Sequence, residues 1–105
     1  MENRLDPHDP FSVYIRAERK FTEGLPVQIF IAFKESVKTI ILEADDFHYE
    51  GSKNRNSYDE QGRAEFQKVS PQFGKVVVKV PFTGQEFGFD TYEAFIREIS
   101  GNGES

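Results

Sequence analysis

Side chains able to do chemistry are few in this chain. Histidine occurs twice, as His8 and His48, and cysteine does not occur. Without thiols, disulfide frameworks, thiolate nucleophiles and cysteine-ligated zinc are excluded. His8 stands between Asp6 and Asp9 in a proline-bearing stretch and reads as solvated. His48 follows Asp45 and Asp46 and precedes Glu50. A zinc or acid–base site needs histidine and carboxylates at fixed geometry; an exposed strand-end histidine is the simpler reading. The acids Glu43, Asp45, Asp46 and Glu50 are the best calcium candidates, because calcium takes several oxygens. They lack the glycine and closing glutamate of an EF-hand loop, and a charged, solvated strand edge accounts for them. Neither a metal nor a cofactor is expected.

Nucleophilic catalysis fares no better. Ser12, Ser36, Ser52, Ser57, Ser70 and Ser100 show no Gly-x-Ser-x-Gly elbow. No glycine-rich phosphate loop is present. The expected function is therefore non-catalytic binding to a protein partner or self-association, as an accessory part of a larger assembly. The partner-binding residues expected are Tyr49, Lys53, Arg55 and Tyr58: two aromatic anchors flanking a polar loop that carries two cations. Loops held by a rigid scaffold commonly carry recognition. The alternative is a structural spacer or a carbohydrate-binding module of a bacterial surface protein, with Tyr14, Tyr49 and Tyr58 as sugar platforms.

Charge and hydropathy narrow the partners. Thirteen basic residues face 18 acidic ones, for a net charge of −5. The basic residues are scattered, so the overall field repels phosphate backbones and anionic membranes. Nucleic acid is not expected as a partner. No apolar run approaches the roughly 20 residues of a membrane helix, so membrane insertion is not expected, and the first residues have no signal-peptide pattern. The lack of cysteine fits a reducing compartment, and a cytoplasmic location is expected.

These groups must be positioned by one domain, since 105 residues fit a single core. Eleven phenylalanines let few apolar positions bury much area. Residues 1–10 read as a flexible arm, 11–100 as the domain and 101–105 as a flexible tail. Phe11, Val13, Ile15 and Ala17 alternate with Ser12, Tyr14, Arg16 and Glu18, the period of a half-buried strand. Val27–Lys34 and Val37–Ala44 are apolar on both faces and read as central strands. Glu50–Gly62 reads as a long loop. Arg63–Val69 reads as a strand with Ala64 and Phe66 inward. Lys75–Phe82 and Glu86–Phe89 read as a hairpin. Tyr92, Phe95, Ile96 and Ile99 then take helical spacing, with Asp90 as cap, and predict a helix over 91–100. About seven strands at roughly 8–12-residue spacing predict a mainly β, antiparallel sandwich with one short C-terminal helix.

Two local patterns carry a resemblance. One is Thr22-Glu23-Gly24-Leu25-Pro26-Val27. The other is Tyr58-Asp59-Glu60-Gln61-Gly62-Arg63-Ala64-Glu65-Phe66, followed by Gly74 and the alternation Val76, Val78, Val80. Over about residues 11–89 these resemble bacterial immunoglobulin-like domains, and more loosely transthyretin-like and macroglobulin-type domains. The resemblance implies an immunoglobulin-like sandwich acting as a binding or spacer module, and it carries over no catalytic residue. The absence of Trp and of a cysteine pair sets the chain apart from antibody domains.

Overall fold

The computed structural model describes residues 6–43, 47–49 and 60–100, with the backbone alone at 47–49 and 60–62. Its order is α1 (Pro10–Phe21), β1 (Gln28–Phe33), β2 (Thr39–Leu42), β3 (Phe47–Tyr49), α2 (Glu60–Val69), β4 (Phe73–Val80), β5 (Gln85–Phe89) and α3 (Tyr92–Ile99). A 3-10 turn, Ser70–Gln72, joins α2 to β4. The strands form one antiparallel sheet in the order β3-β2-β1-β4-β5. The architecture is mixed α/β, with helices as the second layer. The expected seven-strand, immunoglobulin-like sandwich is overturned.

Two segments account for the difference. Phe11–Glu18, expected as a strand, lies within α1. Val13 and Ala17 belong to both the alternating series and the helical series Pro10, Val13, Tyr14, Ala17, so spacing alone does not separate them. The end of the segment does. Asp9 is the N-cap, its Oδ1 accepting from the Phe11 amide at 3.3 Å, and Pro10 occupies the first turn. In the helix Tyr14 turns inward and Phe11 stays half exposed.

Arg63–Val69 is likewise helical, as the larger part of α2. Phe66 and Val69, three apart, are buried together, whereas Ala64 is exposed rather than inward. The turn-and-strand reading of the second resemblance pattern fails here. Phe66 needs only one buried face, and a helix supplies it as well as a strand does.

The core lies between the helices and one sheet face. Ile29, Ile31 and Phe33 from β1, Ile40 and Leu42 from β2, and Val76, Val78 and Val80 from β4 are buried there with Val13, Ala17, Phe95 and Ile99. Phe73 is the hub, in edge-on contact with Phe33, Phe66 and Tyr92 at centroid distances of 5.7, 5.2 and 4.9 Å. It thereby joins the sheet, α2 and α3. Phe21 of α1 stacks on Phe87 at 4.7 Å, and Phe89 meets Phe95 of α3 at 5.4 Å. These rings close the β5 side of the core.

β4 carries a bulge. Ile31 pairs with Val76 and Phe33 with Phe73, so three steps on β4 match two on β1. A Cβ at Gly74 would lie 3.3 Å from the Lys34 Cα, so glycine lets the two backbones approach. The helix α3 begins one residue later than the sequence predicts. Its cap is Thr91, not Asp90, with Oγ1 accepting from the Ala94 amide at 3.0 Å.

Candidate functional site

Strand alternation sends every second side chain away from the helices. On that outer face Ile41, Phe30 and Val77 sit side by side across β2, β1 and β4, since Phe30 pairs with both of the others. All three are only partly buried. Gly88 of β5 continues the row opposite Val77, and a Cβ built on it would meet nothing within 4 Å. No described helix covers this apolar row.

One row along, Glu43, Gln28, Lys79 and Glu86 run in the same direction across the sheet. The Gln28 Nε2 donates to Glu43 Oε2 at 2.8 Å. Lys79 Nζ lies 3.9 Å from Glu86 Oε2, and 5.1 Å above the centre of the Phe30 ring. The ammonium and its stem thus lie over the ring. Both ends of the Lys79–Glu86 pair are well exposed, so it adds little stability.

The helical side has a different feature. Residues 6–9 form a strap tied to all three helices. Tyr92 Oη of α3 donates to the Pro7 carbonyl oxygen at 2.5 Å. Asp9 caps α1 and lies 3.0 Å from Arg63 Nε of α2. That Nε is out of water but not aligned on the carboxylate, so the contact is one of charge. His8 Nδ1 lies 2.7 Å from Ser70 Oγ, just beyond α2. His8 is exposed, as a solvated residue would be, but it is anchored rather than loose. Beside the strap opens a cleft of about 600 Å³, lined among others by His8, Lys34, Ser70, Phe73, Tyr92 and Arg97.

Burial makes two tyrosine hydroxyls weaker acids than usual. It pushes the Tyr14 hydroxyl up from 10.0 to about 12, against the Val27 amide, which donates to Tyr14 Oη at 3.4 Å. Burial, helped by the Asp6 charge, also pushes Tyr92 well above its ordinary value. Tyr14 is 3% exposed, so it offers no platform to a sugar.

The residues expected to bind a partner fall elsewhere. Lys53, Arg55 and Tyr58 lie outside the described residues. So do Asp45, Asp46 and Glu50 of the calcium candidate. Tyr49 is placed by its backbone, in β3 opposite Ile40. Glu43 belongs to the outer sheet face through its bond to Gln28. No cluster of three or more potential metal ligands occurs among the described residues. Nor is any described helix long and apolar enough to cross a membrane.

The apolar outer row had a sequence signal. β1 and β2 are apolar on both faces, which reads as burial beneath a second sheet. The signal is one of contact, and among the described residues no helix makes that contact. The strap had a weaker signal in Asp9-Pro10, a helix start that holds the preceding residues against the domain. No family model matches the chain, and neither a curated protein nor a solved structure matches it significantly.

Proposed function

We propose that this chain is a non-catalytic protein-interaction module whose binding surface is the outer sheet face, and that a second copy of the chain is its partner. The supporting observation is the row Ile41, Phe30, Val77, without a covering helix among the described residues, beside a row that carries Glu43, Lys79 and Glu86. Apolar residues clustered at the centre of a polar-rimmed patch are the usual make-up of an interface.

The charges favour self-association. Consider a second copy turned by a two-fold axis parallel to β1 and lying above the outer face. β1 then faces β1, and β2 of each copy faces β4 of the other. Phe30 meets Phe30, and Ile41 meets Val77. Glu43 at the end of β2 meets Lys79 of β4, twice over. Aligned sheets pack this way with a modest angle between their strands. Strands about 4.8 Å apart and three to eight residues long present a face of roughly 400 Å². Two such faces bury on the order of 800 Å², below the usual range of specific interfaces. The dimer is therefore weak and depends on concentration. The lack of cysteine is compatible with a reducing compartment such as the cytoplasm, and occupancy would follow the chain's own concentration.

Sedimentation velocity from micromolar to millimolar concentration tests this. The expected result is a concentration-dependent dimer, weakened by Glu43→Lys or by Lys79→Glu and restored when the two are combined. A chain that stays monomeric throughout would remove the second-copy reading. A dimer that ignores all three variants would move the contact off this face.

A further inference from the structure

We infer that the cleft beside the 6–9 strap is a binding site for a small organic anion, one with a carboxylate or phosphate head on an apolar body. The cleft lies on the helical side of the molecule, so this inference is independent of the outer sheet face. Its volume of about 600 Å³ suits a compact ligand.

The wall supplies both parts of such a recognition. Phe73 and Tyr92 are almost fully buried and form an apolar floor, with Ile96 beside them. Lys34 and Arg97 stand in the same wall, exposed to solvent, and neither pairs with a carboxylate among the described residues. One carboxylate, Glu93, also lines the cleft. Two cations and one carboxylate thus line the cleft, and the Asp6 charge reaches Tyr92 from beside it. Two cations beside an apolar floor can pair with an anionic head while the floor takes an apolar body. Arginine adds a planar fork that matches a carboxylate or phosphate.

The strap builds this wall rather than merely bordering it. His8 is held by Ser70, and Pro7 by Tyr92, so two lining residues are hydrogen-bonded to two others. Lys34 is fixed at its backbone, its amide donating to the Gln72 carbonyl oxygen at 2.7 Å. The site is therefore largely formed before a ligand arrives, which lowers the ordering cost of binding.

The test is a proton–nitrogen correlation NMR titration of the full chain with phenyl phosphate, benzoate, inorganic phosphate and benzyl alcohol. The expected result is saturable shifts at Lys34, Phe73 and Thr91–Glu93 with phenyl phosphate or benzoate. Inorganic phosphate should bind more weakly for want of an apolar body, and benzyl alcohol for want of a charge. Lys34→Gln and Arg97→Gln should each weaken binding by about threefold or more, with unchanged spectra elsewhere showing that the fold is kept. The inference is overturned if neither aromatic anion gives saturable shifts. It is equally overturned if benzyl alcohol binds as well as they do, or if the double variant binds like the parent.

Discussion

The Ser70 hydroxyl stands between His8 and the backbone of α2: His8 Nδ1 is 2.7 Å from Oγ, and Oγ donates to the Gln67 carbonyl oxygen at 3.1 Å. A hydroxyl has one proton, and a carbonyl can only accept. With that proton on Gln67, Oγ accepts from His8, so Nδ1 carries hydrogen and Nε2 of the neutral ring is bare. This polarity is the reverse of a nucleophile and its base, in which serine donates to histidine. Nitrogen NMR of the imidazole should show a protonated Nδ1 in the neutral ring. Ser70→Ala should release that preference and lower stability by about 1 kcal/mol. A neutral ring protonated at Nε2 would refute the arrangement.

Asp9 serves two helices, and its loss should show both roles. Asp9→Ala removes the α1 cap, at about 1 kcal/mol, and frees Arg63. Arg63→Gln should cost less than about 1 kcal/mol, since its side chain is 44% exposed and the pair is screened. Urea unfolding of the two single variants and the double variant separates cap from charge. Equal losses for both single changes would mean that the cap contributes nothing.

The buried tyrosines predict sensitivity to alkali. Each is harder to deprotonate in the folded chain than in the unfolded one. Above pH 10.0 the unfolded chain loses protons that the folded chain keeps, so stability falls with rising pH. The contribution of Tyr14 is complete below that pH and is lost as the pH rises to about 12. Unfolding followed between pH ~9 and ~11 should show the decline, and Tyr14→Phe should make it shallower. A variant with the same slope as the parent would contradict the assignment.

Two glycines of the β4–β5 pair should respond oppositely to alanine. At Gly74 the new Cβ crowds the Lys34 backbone, where neither strand can retreat without loosening the bulge. A loss of about 1 kcal/mol is expected. At Gly88 the Cβ enters open space, and a gain of up to about 0.5 kcal/mol is expected from reduced backbone freedom in the unfolded chain. Denaturant midpoints of both variants check this. A destabilising Gly88→Ala at low protein concentration would mean that the outer face is already covered within one chain.

The core offers the largest effect. Phe95 is fully buried between Phe89 and Tyr92. Phe95→Ala should cost about 3–5 kcal/mol through lost transfer energy and the cavity left behind. Thermal unfolding reads it directly, and a loss below about 1 kcal/mol would mean that α3 is not docked as described.

Local pattern alone determined a good deal. The β1, β2, β4 and β5 segments were legible from alternation and β-branched residues, and α3 from the spacing of Tyr92, Phe95, Ile96 and Ile99. The exclusion of thiol chemistry needed only the residue types. Tertiary structure decided the rest. Phe11–Glu18 satisfies two periods at once, and the Asp9 cap together with docking of Val13, Tyr14 and Ala17 in the core selects the helix. Phe66 and Val69 supply one buried stripe, which fits either element until Phe73 is brought beneath them. Phe30 and Ile41 read as parts of central strands because sequence records that a side chain is apolar, not what covers it. The strap and its cleft join residues far apart in the chain, such as His8 with Ser70 and Pro7 with Tyr92. Hydrogen bonds of that kind leave no period in the sequence, because they follow from the packing of helices whose contacts are made only when the whole chain folds.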